Sequence, residues 1–279
     1  MNFKRIQWIF LVAFILFDII VGCQLLFQNR FTITNNTQSR QSTVLKEMRA
    51  DSISYQGLSK HQPNAFYISG SRSGDGGTLE QEMAKLHNQT SRFADSQLVS
   101  EFDSPIKVNA ERPQLRLDQV VRRSRNVPLG DHYQYNAQLS SRREAVYTQM
   151  VKNQPVLSSD GQLRFRINRN AQVTGYTQTY LENPMTLQQR TATISQRQAV
   201  VWLYRHNQIP NNSQIQWAIL GYTKLLTTNN HNQAVYVPTW AVEIKTKTAD
   251  TVQRLNVNAF NSTIMKSSPD TVNMDSINK

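Results

Sequence analysis

The first strong pattern in the chain is a hydrophobic stretch close to its N-terminus. Residues 6–27 contain no Lys or Arg, and residues 9–17 are all apolar. In a helix that rises ~1.5 Å per residue, this stretch would span about 33 Å, which is enough to cross a hydrocarbon core of ~30 Å. The pattern therefore predicts one transmembrane helix over residues 6–27.

The flanking charge orients this helix. Lys4, Arg5 and the terminal amine precede it, whereas Arg30 and Arg40 are the only basic residues in the fifteen that follow it. Basic residues stay on the cytoplasmic side of a membrane. We therefore expect a single-pass protein of the cell membrane, with a cytoplasmic tail at residues 1–5 and an extracellular C-terminal domain.

A lipoprotein signal peptide is the alternative interpretation of the same stretch. Ile20-Val21-Gly22-Cys23 is similar to the lipobox that directs lipid attachment to a cysteine. Apolar residues resume at Leu25, however, and Asp18 interrupts a region that should be uncharged. Both features favour a retained helix over a lipidated Cys23.

Asp18 is the most informative residue of the predicted helix. An ionised carboxylate near the middle of a membrane helix costs roughly 2.5–3.5 kcal/mol on insertion scales, so a contact must compensate it. A small residue beside a polar one is how membrane helices recognise each other, although a protonated or snorkelling Asp18 is the alternative. The predicted interaction face consists of Leu11, Phe14, Ile15, Asp18, Gly22 and Leu25.

Polar segments flank the part of the chain that we expect to fold. Residues 28–62 are rich in Gln, Ser and Asn and predict a tether, and residues 267–279 predict a disordered tail. A strand is expected at residues 65–69. Residues 70–77 contain four of the ten glycines, which predicts a flexible surface loop.

One arrangement of apolar positions occurs twice in the remaining sequence. A helix at residues 115–126 precedes three strand-like segments, and a helix at residues 195–208, opened by a capping box of Ser195 and Gln198, precedes three more. The strand segments lie around residues 133–135, 144–147 and 165–168 in the first copy, and 215–217, 233–236 and 255–258 in the second. Residues 163–168 and 172–181 alternate as a hairpin.

This duplication predicts an α+β fold in which each helix covers one face of an antiparallel sheet. We expect two repeated helix-plus-sheet units, at residues 63–160 and 161–266. The aromatic residues of the second copy are expected in its core rather than in a ligand site. They are Trp202, Tyr204, Trp217, Tyr222, Tyr236 and Trp240.

The charge of the chain is strongly basic, with 31 Lys and Arg against 19 Asp and Glu. In a cytosolic protein such an excess would indicate nucleic acid, but the predicted topology argues against that partner. A solvated basic face, or a face toward lipid, wall polymer or a protein, is expected instead. The arginines concerned are Arg112, Arg116, Arg122, Arg123, Arg125, Arg142 and Arg143.

The sequence offers little for catalysis. The five histidines are scattered, there is no His-Glu-x-x-His or Gly-x-Ser-x-Gly motif, and the single cysteine, Cys23, lies in the predicted membrane helix. Carboxylate pairs such as Glu80 and Glu82 stand in polar surroundings. We therefore expect no catalytic, metal-binding or cofactor-binding residues, and a protein that is not an enzyme.

Several short motifs follow one another in a fixed order between residues 144 and 260. They are Tyr147-Thr-Gln149, Asn153-Gln-Pro155, Tyr176-Thr-Gln178-Thr-Tyr180-Leu181, Ala199-Val-Val-Trp-Leu-Tyr204, Leu220-Gly221-Tyr222, Tyr236-Val-Pro-Thr-Trp240 and Val257-Asn258-Ala259-Phe260. Together with Asp18 late in the apolar stretch, they resemble the YycI family over nearly the whole chain.

The resemblance implies a regulatory function that composition does not reveal. Members of the family are non-enzymatic accessory proteins of the WalK (YycG) sensor kinase of the WalK/WalR (YycG/YycF) two-component system in low-GC Gram-positive bacteria. They contact the kinase through the membrane helix and a YycH-like protein through the outer domain, and they tune cell-wall metabolism. The alternative is an extracytoplasmic wall- or protease-binding module whose helix, or lipidated Cys23, is only a tether.

Overall fold

The structure is a computed structural model of the chain, and it divides into two units, Met1–Glu47 and Met48–Lys279. In the part described, no helix has both the length and the apolar character needed to span a membrane. The predicted helix at residues 6–27 lies mostly outside the described residues. These are residues 34–228, 233–248 and 251–265, together with Trp8, Leu11, Phe14, Ile15 and Phe17, all five of which are helical.

The polar segment before the folded core is more ordered than the sequence predicts. Helix α1 occupies Thr34–Ala50, within the stretch interpreted as a tether. It contains neither Gly nor Pro. Its last turn, residues 47–50, consists of good helix formers, and the side chain of Met48 in this turn is fully buried. The sparse apolar positions concealed this helix, because polar residues propagate a helix nearly as well as apolar ones.

Three more helices and a series of short and long strands make up the unit that starts at Met48. The helices are α2 (Thr78–Met83), α3 (Gln114–Val121) and α4 (Gln196–Arg205). The strands are β1 (Asn64–Ala65), β2 (Ile68–Arg72), β3 (Gln89–Ala94), β4 (Gln97–Lys107), β5 (Tyr133–Tyr135), β6 (Glu144–Val151), β7 (Gln154–Pro155), β8 (Gln162–Ile167), β9 (Gln172–Gln178), β10 (Leu181–Thr186), β11 (Thr191–Ala192), β12 (Ser213–Thr227), β13 (Gln233–Thr246), β14 (Val252–Asn258) and β15 (Ile264–Met265).

The first large sheet is antiparallel, with the strand order β3-β4-β9-β8-β6-β5 and with β7 attached to the end of β6. Helices α2 and α3 contribute Leu79, Leu117 and Val121 to the core on this sheet. Against them lie aromatic side chains of the strands, including Phe165 and Tyr176, both fully buried. The apolar residues that alternate along β8 and β9 therefore point into this core, as the sequence pattern predicts.

The second large sheet is also antiparallel, with the order β10-β2-β13-β14-β15 and with β12 on the other side of β13. Strand β13 is long enough to pair with two partners along one edge. Its first half pairs with β2 and its second half with β14. Helix α4 packs on β12 and β13. The short strands β1 and β11 form a separate pair.

The α+β prediction is confirmed, and the two helix-to-strand orders are visible in the pairing. Helix α3 is followed by β5, β6 and β8, which are neighbours in that order, and α4 is followed by β12, β13 and β14, also neighbours in that order. The sheets nevertheless exchange chain segments across the expected boundary at residue 160. Strand β8 pairs with β6 in the first sheet, whereas β2 pairs with β13 in the second.

Local signals account for the helix boundaries. The capping box of Ser195 and Gln198 is present, which confirms the start of α4. Helix α3 ends at Val121 instead of residue 126, because the next backbone N–H groups turn to i→i−3 bonds such as Arg123 to Val120. The hairpin between β8 and β9 is confirmed.

The loop predicted at residues 70–77 is confirmed for residues 73–77, which contain Gly74, Gly76 and Gly77, but not for residues 70–72. Gly70 is buried inside β2 rather than in a loop, and a Cβ there would lie 2.8 Å from the Leu181 side chain of neighbouring β10. The aromatic prediction holds for Tyr222, Tyr236 and Trp240, which are buried, whereas the remaining three are only half-buried.

Candidate functional site

The predicted membrane interaction face is described only in part. Leu11, Phe14 and Ile15 are helical and 55%, 62% and 52% exposed, respectively. Asp18, Gly22 and Leu25 lie outside the described residues, so their role as a contact face stays a prediction.

The unit that begins at Met48 has an exposed row of apolar side chains across its second sheet. Met185 of β10 pairs with Ser69 of β2, Ser69 with Val235 of β13, and Val235 with Leu226 of β12. Directly opposed residues of neighbouring strands project to the same face of a sheet. Met185, Val235 and Leu226, here called the apolar row, therefore share one surface.

The apolar row is more open to solvent than the opposite surface, although Ser69, between Met185 and Val235, is buried. Met185 is 62% and Leu226 47% exposed, and Val235 between them is half-buried. On the opposite face, Ile68, Ala234 and Tyr236 are buried. Leu225, at the bulge of β12, and Leu187, two residues after Met185, are also exposed, and exposed apolar area of this kind is typical of protein contact sites.

The two sheets meet at a buried carboxylate, and this region is called the joint. Asp160, next to the start of β8, is 1% exposed. Its Oδ2 atom lies 2.7 Å from Nζ of Lys224 and accepts a hydrogen bond of 2.8 Å from the Tyr236 hydroxyl. Nη1 of Arg72 lies 3.9 Å from Oδ1. One carboxylate from the first sheet thus binds three side chains of the second.

Backbone and packing contacts continue the joint. Val156 forms a parallel bridge with Tyr222, and the Gln149 side chain makes two 2.8 Å hydrogen bonds with the backbone of Leu181. Gly221 is required at this point, since a Cβ there would lie 2.6 Å from the Leu157 side chain. The joint is therefore a closely packed seam.

Electrostatics at the joint keep its tyrosine neutral. Burial raises the pKa of Tyr236 above its usual range, and the negative charge of Asp160 raises it further. Burial likewise raises the pKa of Tyr147, whose hydroxyl donates to Asp118 of α3. These hydroxyls act as hydrogen-bond donors across the physiological pH range.

A polar pocket of about 220 Å³ adjoins the joint. Its two guanidinium groups are already engaged, because Nε of Arg72 donates to the Ser96 carbonyl and Nη1 of Arg164 lies 2.7 Å from Glu144. These contacts hold the side chains of Arg72 and Arg164 in place against the neighbouring backbone and carboxylate. Within the described residues, no group of three or more His, Cys, Asp or Glu side chains could hold a metal ion.

The structure therefore presents two features that the sequence did not reveal. The apolar row depends on strand register across β10, β2, β13 and β12, which no local pattern specifies. Asp160 belongs to no local sequence motif, and its partners Lys224 and Tyr236 are far away along the chain. The chemistry available at both places is binding and packing.

Two solved structures resemble this fold at low sequence identity. One is an uncharacterized protein from Eubacterium rectale, with a TM-score of 0.45, 8% identity, and coverage of 77% of this chain and 90% of that chain. The other is the C-terminal domain of YpeB from Bacillus megaterium, with a TM-score of 0.37, 11% identity, and coverage of 82% and 95%. No curated protein matches the sequence.

The family comparison covers the helix α1, the joint and every strand of the two sheets except β15. The sequence matches the family described as YycI protein over residues 32–260, which is well over half of the chain. The resemblance seen in the short motifs is thereby confirmed, and the chain belongs to the YycI family.

Proposed function

We propose that this chain is a membrane-anchored, non-enzymatic regulator of the WalK/WalR two-component system. The observation that carries the proposal is its membership of the YycI family over residues 32–260, which indicates a regulatory role in the WalK (YycG) system. The helix at residues 6–27 contacts the sensor kinase in the cell membrane, and the outer domain binds a YycH-like protein.

The sequence of the anchor supports a role in recognition. Asp18 and Gly22 are one turn apart, so a carboxyl group and a site of close backbone approach would lie on the same face of a helix. A tether needs neither residue. Burying Asp18 against a partner helix offsets the cost of a carboxylate in the membrane.

The outer domain offers the apolar row for the second contact. A row of Met185, Val235 and Leu226 supplies the apolar centre that protein interfaces share, and the neighbouring Leu187 and Leu225 extend it. We assign the YycH-like protein to this surface, because the joint contacts occupy the opposite face of the same strands.

Substitutions in the anchor test the membrane contact. Gly22→Leu and Asp18→Leu should each change kinase output by several-fold while the protein level stays constant. Ala13→Leu is the matched control, since Ala13 lies about 180° from Gly22 on a helix of 3.6 residues per turn and should leave the output unchanged. Unchanged output in both variants would contradict the proposed helix contact.

A further inference from the structure

One end of the first sheet carries a concentration of positive charge. Strand register determines which segments meet there, because Glu144 pairs with Arg166 and Lys107 pairs with Gln172. The start of β6, the β8–β9 turn and the end of β4 therefore lie side by side. Six exposed basic residues gather there and are called the basic end. They are Lys107, Arg112, Arg116, Arg142, Arg143 and Arg169.

Two of the carboxylates near this end are already neutralised by other residues. Glu144 lies 2.7 Å from Arg164, and Glu101 lies 3.2 Å from Arg166. Glu111, Asp103 of β4 and Asp118 of α3 remain, so the local balance is six positive charges against three negative charges, or +3. Among the described residues, no member of the basic end forms a salt bridge.

The basic end lies on the far side of the joint from the point where the chain enters this unit. Strand β6 runs from the basic end to the joint, and β7 returns antiparallel to it. Val156, directly after β7, pairs in parallel with Tyr222, so β12 runs opposite to β6. The start of β12 pairs with Ser54, close to the entry at Met48. The start of β12 and the start of β6 therefore lie on opposite sides of the joint.

The residue types favour phosphate over other anions. Five of the six residues are arginines, whose planar guanidinium groups form paired hydrogen bonds with phosphate oxygens. Neighbouring strands are ~4.8 Å apart, so the four strands β6, β8, β9 and β4 spread these groups over roughly 15 Å. Such a width fits a run of several phosphates better than one small anion.

We propose that the basic end binds an extended polyanion that carries phosphate groups outside the cell. This proposal rests on the extracellular orientation of the proposed function, since the same surface in the cytoplasm would meet nucleic acid. An anionic lipid surface is the alternative ligand, and the comparison with vesicles below tests it. Binding releases counterions and therefore weakens steeply with salt.

The experiment uses the full-length protein in nanodiscs of neutral lipid and fluorescent inorganic polyphosphate as the probe. Anisotropy titrations at increasing salt give the affinity and its salt dependence. The double reversal Arg142→Glu/Arg143→Glu should weaken binding at least ten-fold and reduce the slope of log affinity against log salt by about two.

The matched control is Arg122→Glu/Arg123→Glu, an exposed pair with the same change in net charge but near the other end of α3. It should change the affinity by less than three-fold. Equal loss in both double variants would overturn the proposal, because binding would then follow net charge alone.

Two comparison ligands complete the test. Equal binding of polyglutamate would overturn the assignment to phosphate, and tighter binding to phosphatidylglycerol vesicles than to polyphosphate would assign the surface to a membrane instead. Kinase output is not measured in this assay, so its failure leaves the proposed regulatory function standing. Conversely, loss of the kinase contact would leave polyphosphate binding unchanged.

Discussion

The two sheets of the outer domain expose different chemistry. At its free end the first sheet exposes Lys107 and five arginines, whereas the second sheet exposes the apolar row of Met185, Val235 and Leu226. In each sheet, three strands that follow a helix along the chain are neighbours, β5-β6-β8 after α3 and β12-β13-β14 after α4. The difference shows that one architecture, used twice, can offer two unrelated surfaces, with the joint keeping them in a fixed relation.

A substitution in the joint should have the largest effect, because the joint holds the two sheets together. Lys224→Met would leave the carboxylate of Asp160 buried without its nearest cation, and removing one partner of a buried ion pair typically costs about 3–5 kcal/mol. Because the Lys224 side chain is 36% exposed, we expect about 2–3 kcal/mol. Chemical denaturation measures the loss.

Lys60→Met is the matched control for that substitution. Lys60 is exposed and forms no salt bridge with any residue that the structure describes. We expect a change below about 0.5 kcal/mol in the free energy of unfolding. Equal stability of the two variants would show that the Asp160 contact does not hold the sheets together.

The hydroxyl of Tyr236 should contribute nearly as much. Tyr236→Phe removes a hydrogen bond to a charged acceptor, which is worth about 1.5–3 kcal/mol, while preserving the ring. Tyr135→Phe, on a half-buried ring of the first sheet, is the control. A loss confined to Tyr236→Phe in thermal unfolding is expected, and equal transition temperatures would refute the assigned contact.

High pH should destabilise the domain through its buried tyrosines. Burial raises the pKa of Tyr133, Tyr147 and Tyr236, so the folded state keeps protons that the unfolded state loses above pH ~10. Stability is therefore full below that pH and falls above it, by up to about 1.4 kcal/mol per pH unit for each tyrosine. Denaturation between pH 8 and pH 11 measures the slope, and a flat profile would contradict the burial.

The two surfaces can be separated by one substitution in the apolar row. Leu226→Asp should weaken binding of the YycH-like protein at least ten-fold, because a charge would be buried in the interface, and it should leave polyphosphate binding within two-fold. Val252→Asp is the control, since Val252 is 58% exposed on β14 outside the row. Pull-down from membranes quantifies the partner, and an equal effect of both variants would remove the row as the contact site.

Sequence patterns revealed the local features of this fold but not those made by distant contacts. The capping box at Ser195 and the β8–β9 hairpin involve residues close along the chain, so their signals are complete within a short window. The contact of Asp160 with Tyr236 joins residues 76 positions apart, and no pattern near either one indicates it. The apolar row likewise depends on the register of four strands.

For the anchor, the sequence is more informative than the structure. Length, flanking charge and the spacing of Asp18 and Gly22 predict the membrane helix and its interaction face from sequence alone. The outer domain needed the structure, because its surfaces are formed by residues from across the chain. The family match covers residues 32–260, which lie in the outer part of the chain, and the anchor at residues 6–27 precedes it.

The most direct test of the regulatory function is co-purification from solubilised membranes after residues 6–27 are replaced by an unrelated membrane helix. The intact protein should retain both the sensor kinase and the YycH-like protein. The chimera should retain the YycH-like protein, which binds the outer domain, and lose the kinase. A chimera that still retains the kinase and normal kinase output would contradict the account and favour a helix that serves only as a tether.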